Sequence, residues 1–196
     1  MLSKLIIMNN QNKEFNLDKY LEFIDNCIKN ILLRPESNIL TFDILDTEKS
    51  KKNKLQALKE KQRQMKIGEI WQEILGNYKD FTNLKIGHSS GLDILSSSRK
   101  IAIELKNRTN TDNASSKKSN INKLVEFKKN NPDYICIYAN INDDTERKTL
   151  KGSIKKIIKN GVEIEHHIGY EFIKYILGDN TYIIIDFVRT TIDKYT

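Results

Sequence analysis

Gly91-Leu92-Asp93-Ile94-Leu95 and Ile101-Ala102-Ile103-Glu104-Leu105-Lys106 are two alternating apolar runs separated by Ser96-Ser97-Ser98-Arg99-Lys100. Apolar runs this short, bounded by turn residues, read as strands, and the polar connection closes them into a β-hairpin. In an extended chain, side chains two positions apart share a face. Glu104 and Lys106 therefore point one way, while Ile101, Ile103 and Leu105 face the core. A hairpin register that brings Asp93 to the same edge gathers two carboxylates and one ammonium, a set suited to a hard divalent cation and a polarised water. The competing account is an exposed cross-strand ion pair, which contributes little.

The segment from Asn107 to Lys118 is crowded with hydrogen-bonding side chains and almost empty of apolar ones, so it cannot be core. Ser115 or Ser116 is placed to cap a following helix. Arg and Asn also pair bidentately with guanine and adenine edges in the major groove. The segment therefore reads either as an ordinary polar loop with capping residues or as one that leaves the sheet beside the acids to contact DNA.

An acid, a gap and Glu-x-Lys resemble the PD-(D/E)xK nuclease signature. More specifically, the chain resembles the type II restriction endonucleases that cut the interrupted palindromes GGWCC or GGNCC. The resemblance is carried by Leu40-Thr41-Phe42-Asp43, Arg63-Gln64, Ile67-Gly68, Gln72-Glu73-Ile74 and Gly91-Leu92-Asp93. Its most specific block is Glu104-Leu105-Lys106-Asn107 with Asn110-Thr111, Asn113 and Ser115-Ser116, and weaker similarity runs from Ile168 to Gly178. One departure is the short Met65-Lys66 spacer, where the family carries a longer polar insertion.

The resemblance implies an α/β fold, a restriction-endonuclease-like αβα core with a mixed central sheet flanked by helices. It implies Mg²⁺ held by Asp93 and Glu104 with the backbone carbonyl of Leu105, and Lys106 acting on the attacking water. Expected DNA contacts are Arg108, Asn110, Asn113, Ser115, Ser116 and Lys117, together with Arg63, Gln64 and Gln72. Arg108 is the foremost candidate for a guanine contact. A palindromic target read by a small protomer implies a homodimer on double-stranded DNA. In some nucleases of this class a helix acid joins the metal site, which brings Glu69 and Glu73 into view; both read first as surface charges offsetting lysines.

The chain has 196 residues, enough for one sizeable core, and is expected to be a single domain. Within it, residues 1–48 form an amino-terminal helical region, 49–142 a basic helix and the catalytic sheet, and 143–196 the completion of sheet and helices. Apolar runs fall short of membrane-spanning length and the start lacks a small-residue cleavage site, so a cytoplasmic protein with no membrane partner is expected. Cys27 and Cys136 fall in helical and strand patterns and read as core thiols, with no disulfide. A formal charge of +7 and a pI near 9.2 suit an anionic partner. Lys49, Lys51, Lys52, Lys54, Lys59, Lys61, Arg63 and Lys66 concentrate that charge, and Lys117, Lys118 and Lys123 follow the nuclease-like lysine. Such runs are either a solvated helix face or a phosphate-tracking surface.

Helical spacing from Leu17 to Ile31 predicts a packing helix stopped by Arg34-Pro35. A second helix is expected from about Lys54 to Leu75, with Ile67, Ile70, Trp71, Ile74 and Leu75 as its buried stripe, Gly68 approaching the sheet and Gly76-Asn77 as its stop. Phe81 to Ile86, Leu92 to Leu95 and Lys100 to Leu105 read as strands. A helix from Ser116 to Lys129 and a strand at Tyr134 to Tyr138 follow. Asn142-Asp143-Asp144 reads as a turn, Val162 to Ile164 as a strand and Ile168 to Leu177 as a helix. For Tyr182 to Val188 the isoleucines favour a strand and the resemblance a final helix. His166 and His167 are adjacent on a strand and face opposite ways, so they and His88 are given structural or surface roles. Two further function classes are weighed: a structure-selective nuclease such as a junction resolvase or repair enzyme, and a non-catalytic DNA-binding protein.

Overall fold

The computed structural model describes residues 15–35, 41–85, 87–108, 114–142 and 152–196. Helix α1 (Leu17–Leu32) starts where the Asn16 side chain accepts the Lys19 amide at 2.9 Å, and it buries Tyr20, Ile24, Ile28 and Ile31. Its 3–4 residue apolar spacing is the stripe that the sequence shows. Helix α2 (Glu48–Gly76) starts at Thr47, whose hydroxyl accepts the Ser50 amide. None of its residues from Glu48 to Lys61 is buried; burial begins at Gln62 and runs through Ile70, Ile74 and Leu75. The lysine-bearing half of α2 therefore buries no residue, and the apolar half is docked.

The strands are β1 (Thr82–Asn83), β2 (Ile94–Ser96), β3 (Ile101–Arg108), β4 (Ile135–Asn142), β5 (Gly152–Lys159) and β6 (Val162–Gly169). They form one sheet in the order β1-β2-β3-β4-β6-β5. The central strands β3, β4 and β6 are parallel, and the pairs at both edges are antiparallel. Parallel neighbours require a crossover, which α3 (Ala114–Asn130) provides between β3 and β4. The chain ends with α4 (Tyr170–Leu177), a short 3₁₀ turn and α5 (Thr181–Tyr195).

Two apolar cores lie on opposite faces of this sheet. Ile101, Ile103, Leu105, Ile137, Ala139 and Ile141 join α1, α2, α4 and α5. Ala102, Cys136, Tyr138 and Ile164 join Ile121, Leu124 and Val125 of α3. Helices on both faces make β3 buried on both sides from Ile101 to Leu105. This corrects the one-sided hairpin expected from alternation: Glu104 does not lie on an exposed edge but under α3.

Other boundaries shift for physical reasons. The strand expected over Phe81 to Ile86 shrinks to Thr82–Asn83, because Lys85 adopts φ +58 and ends the extended run; Ile86 lies outside the described residues. Strand β5 was not expected, since Lys155 and Lys156 interrupt its isoleucines. Lysines on an edge strand block further pairing, so they do not argue against a strand there. The tail is helical: Thr181, Ile184, Ile185, Val188 and Thr191 are buried at helical spacing, and packing against α1 overrides the β preference of isoleucine. Ser115 and Ser116 fall inside the first turn of α3 rather than before it, and the expected turn at Asp143-Asp144 lies outside the described residues.

Gly68 was expected to let α2 approach the sheet closely. A Cβ at Gly68 would sit 3.5 Å from Asn107 Cβ, an ordinary contact, whereas at Gly76 it would lie 2.7 Å from Asn83 Cβ and 2.9 Å from Asn83 Cα. The required glycine is Gly76. Gly76→Ala is expected to cost about 1–3 kcal/mol through overpacking, while Gly68→Ala gains up to about 1 kcal/mol from helix propensity. Chemical denaturation of the two variants checks this, and equal stabilities would place the close approach elsewhere.

Candidate active site

The β2–β3 ladder pairs Ile94 with Ile103 and Leu95 with Ala102. One step further along this register sets Asp93 opposite Glu104. The Asp93 amide donates to the Ile103 carbonyl at 3.1 Å, and its carboxylate Oδ2 accepts the Leu105 amide at 2.7 Å. The side chain thus takes over the hairpin ladder where β2 begins, which fixes the carboxylate against β3.

Glu104 is 2% exposed. Its Oε1 accepts Lys106 Nζ at 2.7 Å, and its Oε2 is buried with no hydrogen-bond partner. Burial is the main cause that pushes the Glu104 carboxyl above the ordinary glutamate range, with the neighbouring Asp93 charge next; Lys106 and Lys123 partly offset both. A buried carboxylate oxygen without a donor is costly, and an ion or water in contact with it removes the cost. Among the described residues, Gln62 and His167 hold the other such orphaned side-chain atoms, and neither is a carboxylate.

The donor set suits a hard cation: a carboxylate on β3 and a second, just before β2, that is bonded to the same strand. Among the described residues no three or more His, Cys, Asp or Glu side chains cluster in metal-holding geometry. Any cation at the acid pair would therefore complete its shell with backbone, water or phosphate oxygens, as Mg²⁺ commonly does.

The register of the parallel strands extends this site across the sheet. Glu104 stands beside Tyr138, and Tyr138 beside His166, while Lys106 stands beside Asn140. His166 Nε2 lies 2.7 Å from Asn140 Oδ1, and Asn140 Nδ2 donates to the Arg108 carbonyl at 3.3 Å. From above, Lys117 of α3 lies 5.8 Å from the Tyr138 ring centre, and Lys123 donates to the Gly91 carbonyl at 3.3 Å. Sequence reasoning missed Tyr138, Asn140 and His166 as neighbours of the acids, because strand register across a crossover leaves no local signal.

At the far end of β3 a second group assembles around Glu60 of α2. Gln64 Nε2 donates to Glu60 at 2.9 Å, while Arg63 and Arg108 each approach the same carboxylate at 3.9 Å. Asn107 Nδ2 donates to the Gln64 carbonyl at 3.1 Å, and Asn142 Nδ2 donates to Asn107 Oδ1 at 2.9 Å. Arg63, Gln64 and Arg108 are thus brought together at the exit of β3. Ser115, Ser116 and Lys117 lie in the first turn of α3; Asn110 and Asn113 lie outside the described residues.

Gln72 is placed elsewhere: its Nε2 donates to Asn83 Oδ1 at 3.1 Å, bracing β1. Glu69 pairs with Arg34, and Glu73 pairs with Lys85, so both helix acids already have cationic partners. His88 bonds within its own turn to Ser90, and His167 pairs with Glu165 at 2.5 Å on the sheet face opposite His166. Cys27 and Cys136 are free thiols, and burial pushes them up to about 12 and about 11, which leaves them unreactive.

Residues 2–192 match the family model described as Eco47II restriction endonuclease, and the chain belongs to that family of restriction endonucleases. It is 26% identical over 155 residues, 71% of its own length, to the type II restriction enzyme Sau96I of Staphylococcus aureus. The chain spans 58% of that relative's length. No solved structure matches it. Among the described residues no helix is long and apolar enough to cross a membrane.

A glutamate whose folded pKa is raised favours the folded state below the unfolded value and loses that contribution as pH rises through the folded value. In metal-free protein, ionised Glu104 therefore opposes folding at pH 8. Glu104→Gln is expected to melt above wild type in EDTA at pH 8, with the gain shrinking as pH falls toward 5. A melting temperature below wild type at pH 8 would contradict the buried, strained carboxylate.

Proposed function

We propose that the chain is a single-domain, cytoplasmic type II restriction endonuclease with a PD-(D/E)xK centre at Asp93, Glu104 and Lys106. Its substrate is double-stranded DNA carrying a short palindrome of the GGWCC or GGNCC kind. The observation that carries this reading is the orphaned Glu104 Oε2, buried beside Asp93 and Lys106 on the strand that ends at Arg108. Family membership supports the same chemistry.

Mg²⁺ would be held by Asp93, Glu104 and the Leu105 carbonyl, where it supplies neutralisation of the phosphate and acidification of the attacking water. Lys106 orients that water and either takes up its proton as a neutral amine or, as an ammonium, offsets the developing charge. The water oxygen bonds to phosphorus in line with the leaving ester oxygen; that P–O bond breaks and the leaving oxygen gains a proton. Burial under α3 excludes bulk solvent from Glu104 and strengthens each of these interactions.

Arg108 reads a base edge, exchanging its loose 3.9 Å pairing with Glu60 for guanine. Arg63 and Gln64 lie beside it, Ser115, Ser116 and Lys117 add contacts from the first turn of α3, and Asn110 and Asn113 are further proposed DNA contacts. The exposed lysines of α2 track phosphates. Two protomers about the palindrome's dyad place one centre on each strand, so sedimentation of the complex is expected to show two chains per duplex.

Incubated with Mg²⁺ and a long phage DNA, the protein is expected to yield discrete bands. Asp93→Asn should abolish them and Lys106→Ala should slow cutting by roughly 10²–10⁴-fold, both with sequence-specific binding retained. Arg108→Ala should lose about 1–3 kcal/mol of discrimination between cognate and random DNA. Wild-type cutting by Asp93→Asn would remove this centre; nicking of branched DNA alone would instead identify a structure-selective nuclease.

A further inference from the structure

The helix that covers the catalytic face brings a second ammonium to the acid pair. Lys123 leaves α3 at the edge of the stripe formed by Asn120, Ile121 and Leu124. Its Nζ lies 3.3 Å from the carbonyl of Gly91, two residues before Asp93. Gly91 has φ +63, a conformation that favours glycine, and the last three atoms of the lysine side chain lie 3.6–3.9 Å from where a Cβ would stand, at ordinary contact distance. The stem of Lys123 is thus laid along the loop that delivers Asp93. Its charge reaches the far carboxylate too, being one of those that draw Glu104 back toward ionisation.

Lys123 forms no ion pair among the described residues, and its hydrogen bond is long and made to a neutral acceptor. Lys106, by contrast, is joined to Glu104 at 2.7 Å. Two carboxylates and two ammonium groups leave the site formally neutral, so a bound divalent cation makes it doubly positive. A phosphodiester carries one negative charge and gains a second once the attacking water has bonded to phosphorus and given up a proton to solvent, so with Lys106 as an ammonium the charges match when Lys123 is counted. An ammonium held by a weak neutral acceptor at the rim of such a site is placed to exchange it for an anionic oxygen.

We propose that Lys123 is a further catalytic residue, its ammonium binding a non-bridging oxygen of the scissile phosphate. This rests on reading Asp93 and Glu104 as the nuclease centre. The predicted division of labour is that Lys106 serves the attacking water and Lys123 the phosphate.

The test uses the duplex carrying the sequence at which the wild-type chain cuts, with and without an uncharged methylphosphonate at the scissile position. Binding is measured in EDTA, and single-turnover cleavage in Mg²⁺. Lys123→Ala is expected to bind the natural duplex about 10–100-fold more weakly, the weight of one charge-assisted hydrogen bond. Wild type should lose a similar factor on the methylphosphonate duplex, and Lys123→Ala should lose almost nothing more. Cleavage should fall at least as far as binding, with Lys123→Arg restoring much of it; Lys123→Met, which keeps the stem, should behave like the alanine variant and melt as wild type does. An undiminished methylphosphonate penalty in Lys123→Ala, or wild-type cleavage by Lys123→Met, overturns the assignment. Asp93→Asn separates the two claims: if it still cuts, the nuclease centre itself is misplaced, whereas a dead Asp93→Asn beside a fully active Lys123→Met removes Lys123 alone.

Discussion

Burial of the Glu104 carboxylate sets an acidic group where water cannot solvate it. A charged group at the centre of a parallel strand, covered by α3, opposes folding, and only part of that opposition is offset by Lys106 and Lys123. The surrounding design follows from it. Asp93 is fixed by the Leu105 amide so that a second carboxylate stands beside the first, which raises the local negative charge further. A fold that accepts this cost stores it where a cation would release it, the usual trade of stability for activity at a functional site.

The rest of the protein holds Glu104 and Lys106 against the basic helix α2. Helix α2 has two halves with different tasks: its apolar carboxy-terminal part docks on the sheet, and its lysine-bearing part stands exposed. The two meet near Glu60 and Gln64, where side chains from the end of β3 bond to the helix. The strand that carries Glu104 and Lys106 therefore ends in direct contact with the basic helix.

Much of this was legible in the sequence, and the limits are instructive. Alternation in Gly91–Leu95 and Ile101–Lys106 revealed the hairpin, and its antiparallel register brought Asp93 to Glu104 because a short connection leaves few alternatives. The stripe Ile70, Ile74 and Leu75 was equally plain. Burial of Glu104 was not, since only the crossover of α3 covers that face and nothing local to β3 announces it. The proximity of Tyr138, Asn140 and His166 depends on parallel pairing between strands far apart in the chain. Strand β5 was hidden by its lysines, and α5 by isoleucines whose β preference yields to packing at helical spacing. Gly76 rather than Gly68 as the point of close approach is a matter of helix trajectory, which composition does not encode.

The decisive observation is where a divalent cation sits. Crystals of the protein with a cognate duplex, grown in Mn²⁺ and measured at its absorption edge, should show an anomalous peak within about 2–2.6 Å of Glu104 Oε2 and of an Asp93 carboxylate oxygen. An ordered complex with those oxygens unoccupied and the peak elsewhere would show that the buried acid pair is not the cation site.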